Sequence, residues 1–245
     1  DENSSYNEDI QGIYYKIDWS KLRSIDFDKS GNLYIACESG ILMLFNGNYT
    51  NLIHKLLCTH NGTNYVESLT IGNIYYIAGD INNAASSSSD ASGNGNLVRT
   101  PDVDSWKFVN SGVRFDEIKD IAFDISGNMY ISDRQLNVIR KIDESTGIIS
   151  EHSSGYTTPT NIEFDEQDNM YVCNRGSTTG SGISAKVEVY YNGTSNNFLN
   201  AVLSGQTLVT GERYVVIGGG TTADYDKERY LSTEYSLGYN NYNYE

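Results

Sequence analysis

The sequence has no long apolar run, and it contains only two prolines, three cysteines and three histidines. A membrane-spanning helix needs about 20 consecutive apolar residues, so the sequence excludes membrane insertion through such a helix. Cys37, Cys58 and Cys173 are too few for a disulfide scaffold and too widely spaced for a zinc pair. We expect buried thiols, with one disulfide as the alternative.

Basic residues are also scarce, because 17 lysines and arginines stand against 32 aspartates and glutamates, for a net charge of -15. Such a surface repels nucleic acid and anionic membranes, so neither is expected as a partner. The sequence also lacks Gly-x-Ser-x-Gly, a phosphate-binding loop and Cys-x-x-Cys. It therefore carries no positive sign of catalysis.

Tyrosine, by contrast, is abundant, with 20 residues, and Asn, Ser and Thr are frequent. This weakly charged polar composition is typical of secreted, viral-surface and cell-surface proteins. We therefore predict an extracellular or particle-surface location. Sequons of the form Asn-x-Ser/Thr that fall in predicted turns are the candidate glycosylation sites: Asn48, Asn61 and Asn192.

One short phrase recurs along the chain. "IDFDKSGNLYIAC" at 25–37 is followed by "IAFDISGNMYISD" at 121–133, "IEFDEQDNMYVCN" at 162–174 and a weaker copy, "LTIGNIYYIAG", at 69–79. The turn asparagines of the copies lie 41, 55 and 41 residues apart, at Asn32, Asn73, Asn128 and Asn169. A strand-only unit of about 40 to 45 residues indicates four-stranded propeller blades. A polar insertion at 81–96 explains the longer interval.

Turn chemistry divides each unit into strands. The Gly-Asn turn joins the first two strands. Asn46-Gly47 and Asn192-Gly193 divide two later apolar runs into strand pairs. A fifth unit begins at 213–220 and continues at 229–238, and 12–18 remains to complete the last blade.

The sequence therefore predicts an all-β chain that forms a single β-propeller over 1–245, with four-stranded antiparallel blades. Five blades are expected and six are the alternative, with the ring closed by an N-terminal strand. Residues 1–11 form an extension and 239–245 a Tyr/Asn-rich tail. No helix longer than two turns is expected, because no window keeps a 3.6-residue apolar period.

These phrases resemble the NHL-repeat propellers, whose unit has an apolar-Asp strand, a Gly-Asn turn and a second strand that ends in aspartate. The match is close at 121–143 and looser in the copies at 25 and 162. The terminal aspartate is Asp133 in one copy but Cys37 and Asn174 in the others. The resemblance implies a propeller fold, which hosts binding proteins, scaffolds, lactonases and lyases alike.

Long loops concentrate on one predicted face of the propeller. Under this alignment 79–96, 174–184 and 218–229 all connect the second and third strands of a blade, so we predict that this face contacts a ligand or partner. Tolerated insertions without a role are the alternative. The candidate ligand-binding residues on this long-loop face are Asp90, Arg175, Asp224 and Tyr225.

Two candidate metal positions exist. Asp28, Asp124 and Asp165 open the repeated turns, where capping of the turn is favoured over calcium binding. Resemblance to lactonase-like propellers implies a second position at the channel mouth, where side chains at the start of each first strand would hold calcium. The equivalent residues there are Ser24, Ser68, Asp120 and Asn161, with Glu67 beside them. The histidines, His54, His60 and His152, lie elsewhere in this alignment.

We therefore expect a non-enzymatic surface β-propeller that acts as an interaction or assembly module. Its partners would be neighbouring protomers, another surface protein or a glycan, and it would need no cofactor, although calcium is possible. The alternative is a calcium-dependent lactonase-like or lyase-like enzyme that uses Glu67, Asp120 and Asn161.

Overall fold

The computed structural model describes residues 17, 20–60, 64–79, 113–176 and 185–218. The chain divides into two compact units, Asp1–Ser154 and Gly155–Glu245. The described residues form three four-stranded antiparallel sheets, one small hairpin and two short helices, so the all-β expectation is confirmed. Both helices are shorter than two turns, and no described helix is long and apolar enough to span a membrane.

The first unit contains two sheets. In sheet 1 the strands lie in the order β1-β2-β3-β6, and in sheet 2 in the order β7-β8-β9-β10. The strands of sheet 1 are β1 Leu22–Phe27, β2 Leu33–Cys37, β3 Gly40–Leu44 and β6 Ile74–Gly79. Helix α1 and the small hairpin lie between β3 and β6, with bounds α1 Asn51–Leu57, β4 Thr59–His60 and β5 Tyr65–Val66. The strands of sheet 2 are β7 Ile118–Phe123, β8 Met129–Asp133, β9 Val138–Ile142 and β10 Ile149–Ser154.

The second unit contains sheet 3, in which consecutive strands are neighbours from β11 to β14. Helix α2, Asn197–Val202, lies between its third and fourth strands, as α1 does in sheet 1. The strands are β11 Pro159–Phe164, β12 Met170–Asn174, β13 Lys186–Tyr190 and β14 Arg213–Gly218.

Two of the predicted repeat units are wrong. The stretch 69–79 was expected to begin a blade, but it supplies β6, the fourth strand of sheet 1. Likewise, the stretch 213–220 was expected to begin a fifth blade, but its described part is β14, the fourth strand of sheet 3. The true period is longer in sheets 1 and 3 because a helix separates their third and fourth strands.

The apolar runs after Asn46-Gly47 and Asn192-Gly193 were predicted as strands, and they form α1 and α2 instead. Each helix has a side-chain N-cap: Thr50 accepts from the Ile53 N–H (3.2 Å), and Asn196 accepts from the Leu199 N–H (2.8 Å). The buried side chains of α1 follow a helical spacing, at Leu52, Ile53, Leu56 and Leu57. The N-cap residue is thus visible in the sequence before both helices, and the helical apolar spacing is visible for α1.

The repeated turn is held by an aspartate and an asparagine. In sheet 1, Asp28 Oδ1 accepts from the backbone N–H of Ser30 and of Asn32, each at 2.9 Å, and Asn32 Nδ2 donates to Asp28 Oδ2 (2.8 Å). The asparagine then reaches the end of the third strand, where its Nδ2 donates to Asn48 O (2.9 Å) and its Oδ1 accepts from Asn46 N–H (3.0 Å). We call this arrangement the Asp-Asn clamp.

Sheets 2 and 3 contain the same clamp. Asn128 Oδ1 accepts from the Glu144 N–H (2.9 Å), just after β9, and Asn169 Oδ1 accepts from the Asn192 N–H (3.1 Å), just after β13. The clamp aspartates are Asp124 and Asp165, and each also accepts a tyrosine hydroxyl from the second strand, Tyr130 (3.2 Å) or Tyr171 (3.1 Å). The expectation that these aspartates cap turns is therefore confirmed.

Removal of one clamp amide should destabilise the first unit. Asn32 is fully buried, so Asn32→Ala leaves Asp28 Oδ2 and the Asn46 N–H without their bonds. We expect a loss of about 2 to 4 kcal/mol in the free energy of unfolding, measured by urea denaturation. The exposed Ser126→Ala, in the equivalent turn of sheet 2, should change it by less than about 0.5 kcal/mol. Equal effects of the two substitutions would contradict the clamp.

Sheets 1 and 2 share one hydrophobic core. One face of sheet 1, together with α1, packs against one face of sheet 2, and we call this face of sheet 1 its helix face. The helix face includes Tyr34, Met43 and Tyr75. The sheet 2 residues in the same core include Ile121, Met129, Ile131, Ile142 and Ile149. The two first strands, β1 and β7, also lie side by side.

The position of the terminal motif aspartate is filled differently in each sheet. In sheet 2, Asp133 is fully buried, with Oδ2 3.9 Å from the Arg140 guanidinium of β9. Burial raises the pKa of Asp133 to about 6, although Arg140 acts in the opposite direction. In sheet 1 the two equivalent positions hold Cys37 and Leu42. The ion pair is thus replaced by an apolar pair at the same place in the fold.

Removing one partner of the Asp133–Arg140 pair should cost more stability than replacing both partners. Arg140→Leu leaves the Asp133 carboxylate without its cation, so its pKa rises further and the fold loses about 3 to 5 kcal/mol at pH 7. The folded state then binds the proton more tightly than the unfolded state, so the loss should shrink as the pH falls towards 5. The double variant Asp133→Cys with Arg140→Leu, which copies sheet 1, should recover most of the stability. Denaturant titrations at both pH values test this, and a double variant no better than the single one would contradict it.

Candidate functional site

Long segments leave one end of sheets 1 and 3. In sheet 1 the register pairs Gly79, the last residue of the fourth strand, with Gly40 at the start of the third strand. In sheet 3 it pairs Gly218 with Lys186 in the same way. The segments that begin after Gly79 and Gly218 therefore start at the same sheet end as the connection between the second and third strands. We call this the loop end of each sheet.

The three long segments were predicted to connect the second and third strands of a blade, which is correct for one segment and wrong for two. The 174–184 segment does connect the second and third strands of a sheet, β12 and β13. The segments at 79–96 and 218–229 instead follow fourth strands. Both exits are made by glycine in the left-handed region, Gly79 at φ 74° and Gly218 at φ 80°, where a Cβ would collide with the backbone.

Arg175 is the one predicted ligand-binding residue of the long loops that lies within the described part of the chain. It is exposed, it follows β12 directly, and its backbone N–H donates to Thr158 O (3.2 Å). The other three candidates, Asp90, Asp224 and Tyr225, lie outside the described residues. Arg175 therefore marks the loop end of sheet 3.

The channel-mouth positions are equivalent in three of the four predicted cases. Ser24, Asp120 and Asn161 each lie at a β-bulge in the first strand of their sheet. Ser68 does not, because it lies between β5 and β6. Among the described residues, no group of three or more His, Cys, Asp or Glu side chains has an arrangement that could hold a metal ion.

First-strand side chains instead join sheets 1 and 2. Ser24 Oγ accepts from the Ile121 N–H (3.3 Å), and Asp26 Oδ2 accepts from the Phe123 N–H (3.2 Å). Burial raises the pKa of Asp26, and the nearby Asp120 and Asp28 carboxylates act in the same direction. Asp26 is not among the predicted site residues, although its place within the repeated phrase could have identified it.

Glu67 lies apart from the first strands. It is exposed, it follows β5, and its Oε1 is 2.9 Å from His54 Nε2 of α1. The His54 ring stacks on Tyr49, with ring centroids 5.3 Å apart. The predicted grouping of Glu67 with the channel-mouth residues is therefore wrong, and Glu67 joins α1 to the segment before β6. His152 lies on β10, where burial lowers its pKa to about 4.

Two of the predicted glycosylation sites are described. Asn48 and Asn192 are both exposed and both follow the end of a third strand, as predicted. Their amides are engaged: Asn48 Nδ2 donates to Ser30 O (3.1 Å), and Asn192 Nδ2 donates to Gln167 O. Asn61 lies outside the described residues. Glycosylation at all three stays a prediction.

The thiols differ sharply in exposure. Cys37 and Cys58 are buried, and Cys173 is exposed. Burial raises the pKa of Cys58 to about 12 and that of Cys37 to about 11. Since the thiolate is the reactive form, burial disfavours reaction of both cysteines at neutral pH.

One thiol per chain should therefore react with a colorimetric thiol reagent in the native protein at pH 7.5, and three should react in denaturant. Cys173→Ser should abolish the native reaction, whereas Cys58→Ser should leave it unchanged. Absorbance at completion measures the count. Rapid reaction of two or three native thiols would contradict the described burial.

Comparison of the sequence with protein-family models and with curated proteins found no match in either.

Proposed function

We propose that this chain is a non-enzymatic β-propeller-type module that works at a cell or particle surface and assembles with neighbouring protomers through the loop ends of its sheets. The observation that carries the proposal is the shared register of sheets 1 and 3, in which long segments leave from one end beside Gly40 and Lys186. Loops that extend from a rigid sheet end are a common place for protein contacts.

The propeller part of the proposal is supported by the strand order and the packing of the sheets. All three have four antiparallel strands, and in each the first three strands are neighbours in chain order. Within the first unit, the sheets pack face to face with their first strands side by side. This is the relation that neighbouring blades have around a propeller channel. The NHL-like resemblance, the number of blades and the closing strand at 12–18 stay predictions.

The assembly part of the proposal is supported by the roles of the charged side chains, most of which bond within the fold. The clamp aspartates Asp28, Asp124 and Asp165 accept hydrogen bonds from their own turns. Asp26 accepts a backbone N–H of the next sheet. These carboxylates therefore serve the fold, and Arg175 is exposed at the loop end of sheet 3. An exposed arginine is a residue type that is enriched at protein contacts.

Sedimentation velocity over a range of protein concentrations tests the proposal. Native protein should self-associate, and Arg175→Ala should raise the dissociation constant about tenfold or more, which is about 1.4 kcal/mol. Glu166→Ala, an exposed change at the opposite end of sheet 3, should alter it less than about twofold. A native chain that stays monomeric and binds no sugar on a glycan array would contradict an assembly function.

A further inference from the structure

The loop end of sheet 3 contains a residue with a strained backbone. Thr158, directly before β11, lies in the left-handed region, with φ 58°. A β-branched residue rarely takes a positive φ, because its side chain crowds the backbone there. Thr158 also precedes Pro159, and a proline pushes the residue before it towards the extended region. Residues in such unfavourable conformations persist where surrounding bonds hold them, and they cluster at functional sites.

The equivalent residues of the other two sheets are not strained. In each sheet the residue after the second strand donates its backbone N–H to the residue before the first strand. These bonds run from Glu38 to Lys21 (2.8 Å), from Arg134 to Glu117 (2.9 Å) and from Arg175 to Thr158 (3.2 Å). Neither Lys21 nor Glu117 has a positive φ. The shared bond therefore does not require the left-handed conformation, and sheet 3 must have another reason for it.

Thr158 and its neighbour Thr157 bond the segment that follows β12. Thr158 Oγ1 donates to Gly176 O (2.9 Å), and the Gly176 N–H donates to Thr157 O (3.0 Å). The Thr157 N–H donates in turn to Oδ1 of the buried Asn174 (2.8 Å). The chain is thus tied to residues 157 and 158 on both sides of Arg175.

Arg175 is exposed between these two bonded neighbours. Its guanidinium has five N–H donors in a planar fork, which can bond a carboxylate through two parallel hydrogen bonds. A carboxylate is also the charged group that a second copy of this chain offers most, since 32 aspartates and glutamates stand against 17 lysines and arginines. A backbone that is already fixed loses less entropy when its side chain binds.

We propose that Thr158 is a positioning residue, which holds Arg175 in place to bind a carboxylate of a second copy of this chain. This inference rests on the proposed assembly function, and it names the partner group and the residue that acts through Arg175. The hydroxyl of Thr158 fixes Gly176, and the strained backbone is the cost in stability that this contact requires.

Sedimentation velocity on Thr158 variants tests the positioning role. Thr158→Val keeps the shape of the side chain but removes the hydroxyl, so it should raise the dissociation constant for self-association about fivefold. Thr158→Ser keeps the hydroxyl and should stay within about twofold of native protein. In an Arg175→Ala background Thr158→Val should have no further effect, because Thr158 acts through Arg175. Equal effects of Thr158→Val in both backgrounds, or equal effects of the Val and Ser variants, would overturn the role.

Hydrogen exchange provides a second readout, which does not depend on association. The backbone amides of Arg175 and Gly176 should exchange about fivefold faster in Thr158→Val than in native protein, and at the native rate in Thr158→Ser. Asp168→Gly is the matched control, because Asp168 also has a positive φ, 60°, but lies at the opposite end of sheet 3. It should leave the dissociation constant and both exchange rates within about twofold of native values.

Salt tests the partner group. Self-association of native protein should weaken as NaCl rises from about 50 to 500 mM, and the residual association of Arg175→Ala should change less. An association that salt leaves unchanged would overturn the carboxylate partner. A native chain that stays monomeric would overturn the assembly function itself, whereas self-association that Thr158→Val does not weaken would overturn only this inference.

Discussion

The Asp-Asn clamp is the constraint on which the described sheets depend. A turn held only by backbone bonds fixes two strands, but here the asparagine side chain also bonds the chain where it leaves the third strand. In sheet 1 that contact runs from Asn32 to the backbone of Asn46 and Asn48. Because the side chain of Asn32 is fully buried, the loss of either bond would leave a desolvated polar atom. Three strands are therefore held in register by one aspartate and one asparagine.

This constraint explains why the connection between the third and fourth strands can be long. In sheet 2 a short turn, 143–148, leads from β9 to β10, and Asp143 caps it with bonds to Ser145 and Thr146. Sheets 1 and 3 insert a capped helix at the same point. Longer connections cost little extra entropy once their ends are fixed. The third strand is already fixed by the clamp, so an inserted helix does not disturb the register.

The sequence predicted what the repeated phrase encodes locally. It identified the turns at Asp28, Asp124 and Asp165, and the equivalence of Ser24, Asp120 and Asn161. It failed at Asn73, which follows a Gly as the clamp asparagines at 32 and 128 do but has no aspartate four residues before it. Its backbone O accepts from the Phe45 N–H (3.0 Å) instead. The clamp needs both partners, and the phrase at 69–79 has only one.

Other features lie beyond any single phrase. Gly31 and Gly127 take a positive φ in the first two turns, and Asp168 takes it in the third turn, where no glycine precedes the asparagine. Which faces are covered also depends on neighbours that are distant in the chain. Ile25 is exposed and Ile121 is buried, and two nearly identical segments cannot predict that difference. Glu67 was misplaced for the same reason, since its partner His54 belongs to a helix that the turn-based division assigned to a strand.

The side chains that vary among the copies give one face of each sheet a different chemistry. Cys37 and Leu42 belong to an apolar cluster on the face of sheet 1 opposite its helix face. The same two positions hold an ion pair in sheet 2, and in sheet 3 they hold Asn174 with Glu188, whose Nδ2 and Oε2 are 2.8 Å apart. Arg140 and Glu188 each have an oppositely charged partner within their own sheet, Asp133 and Lys186, which offsets part of the cost of burying them. The backbone repeats, and these few positions make this face different in each of the three sheets.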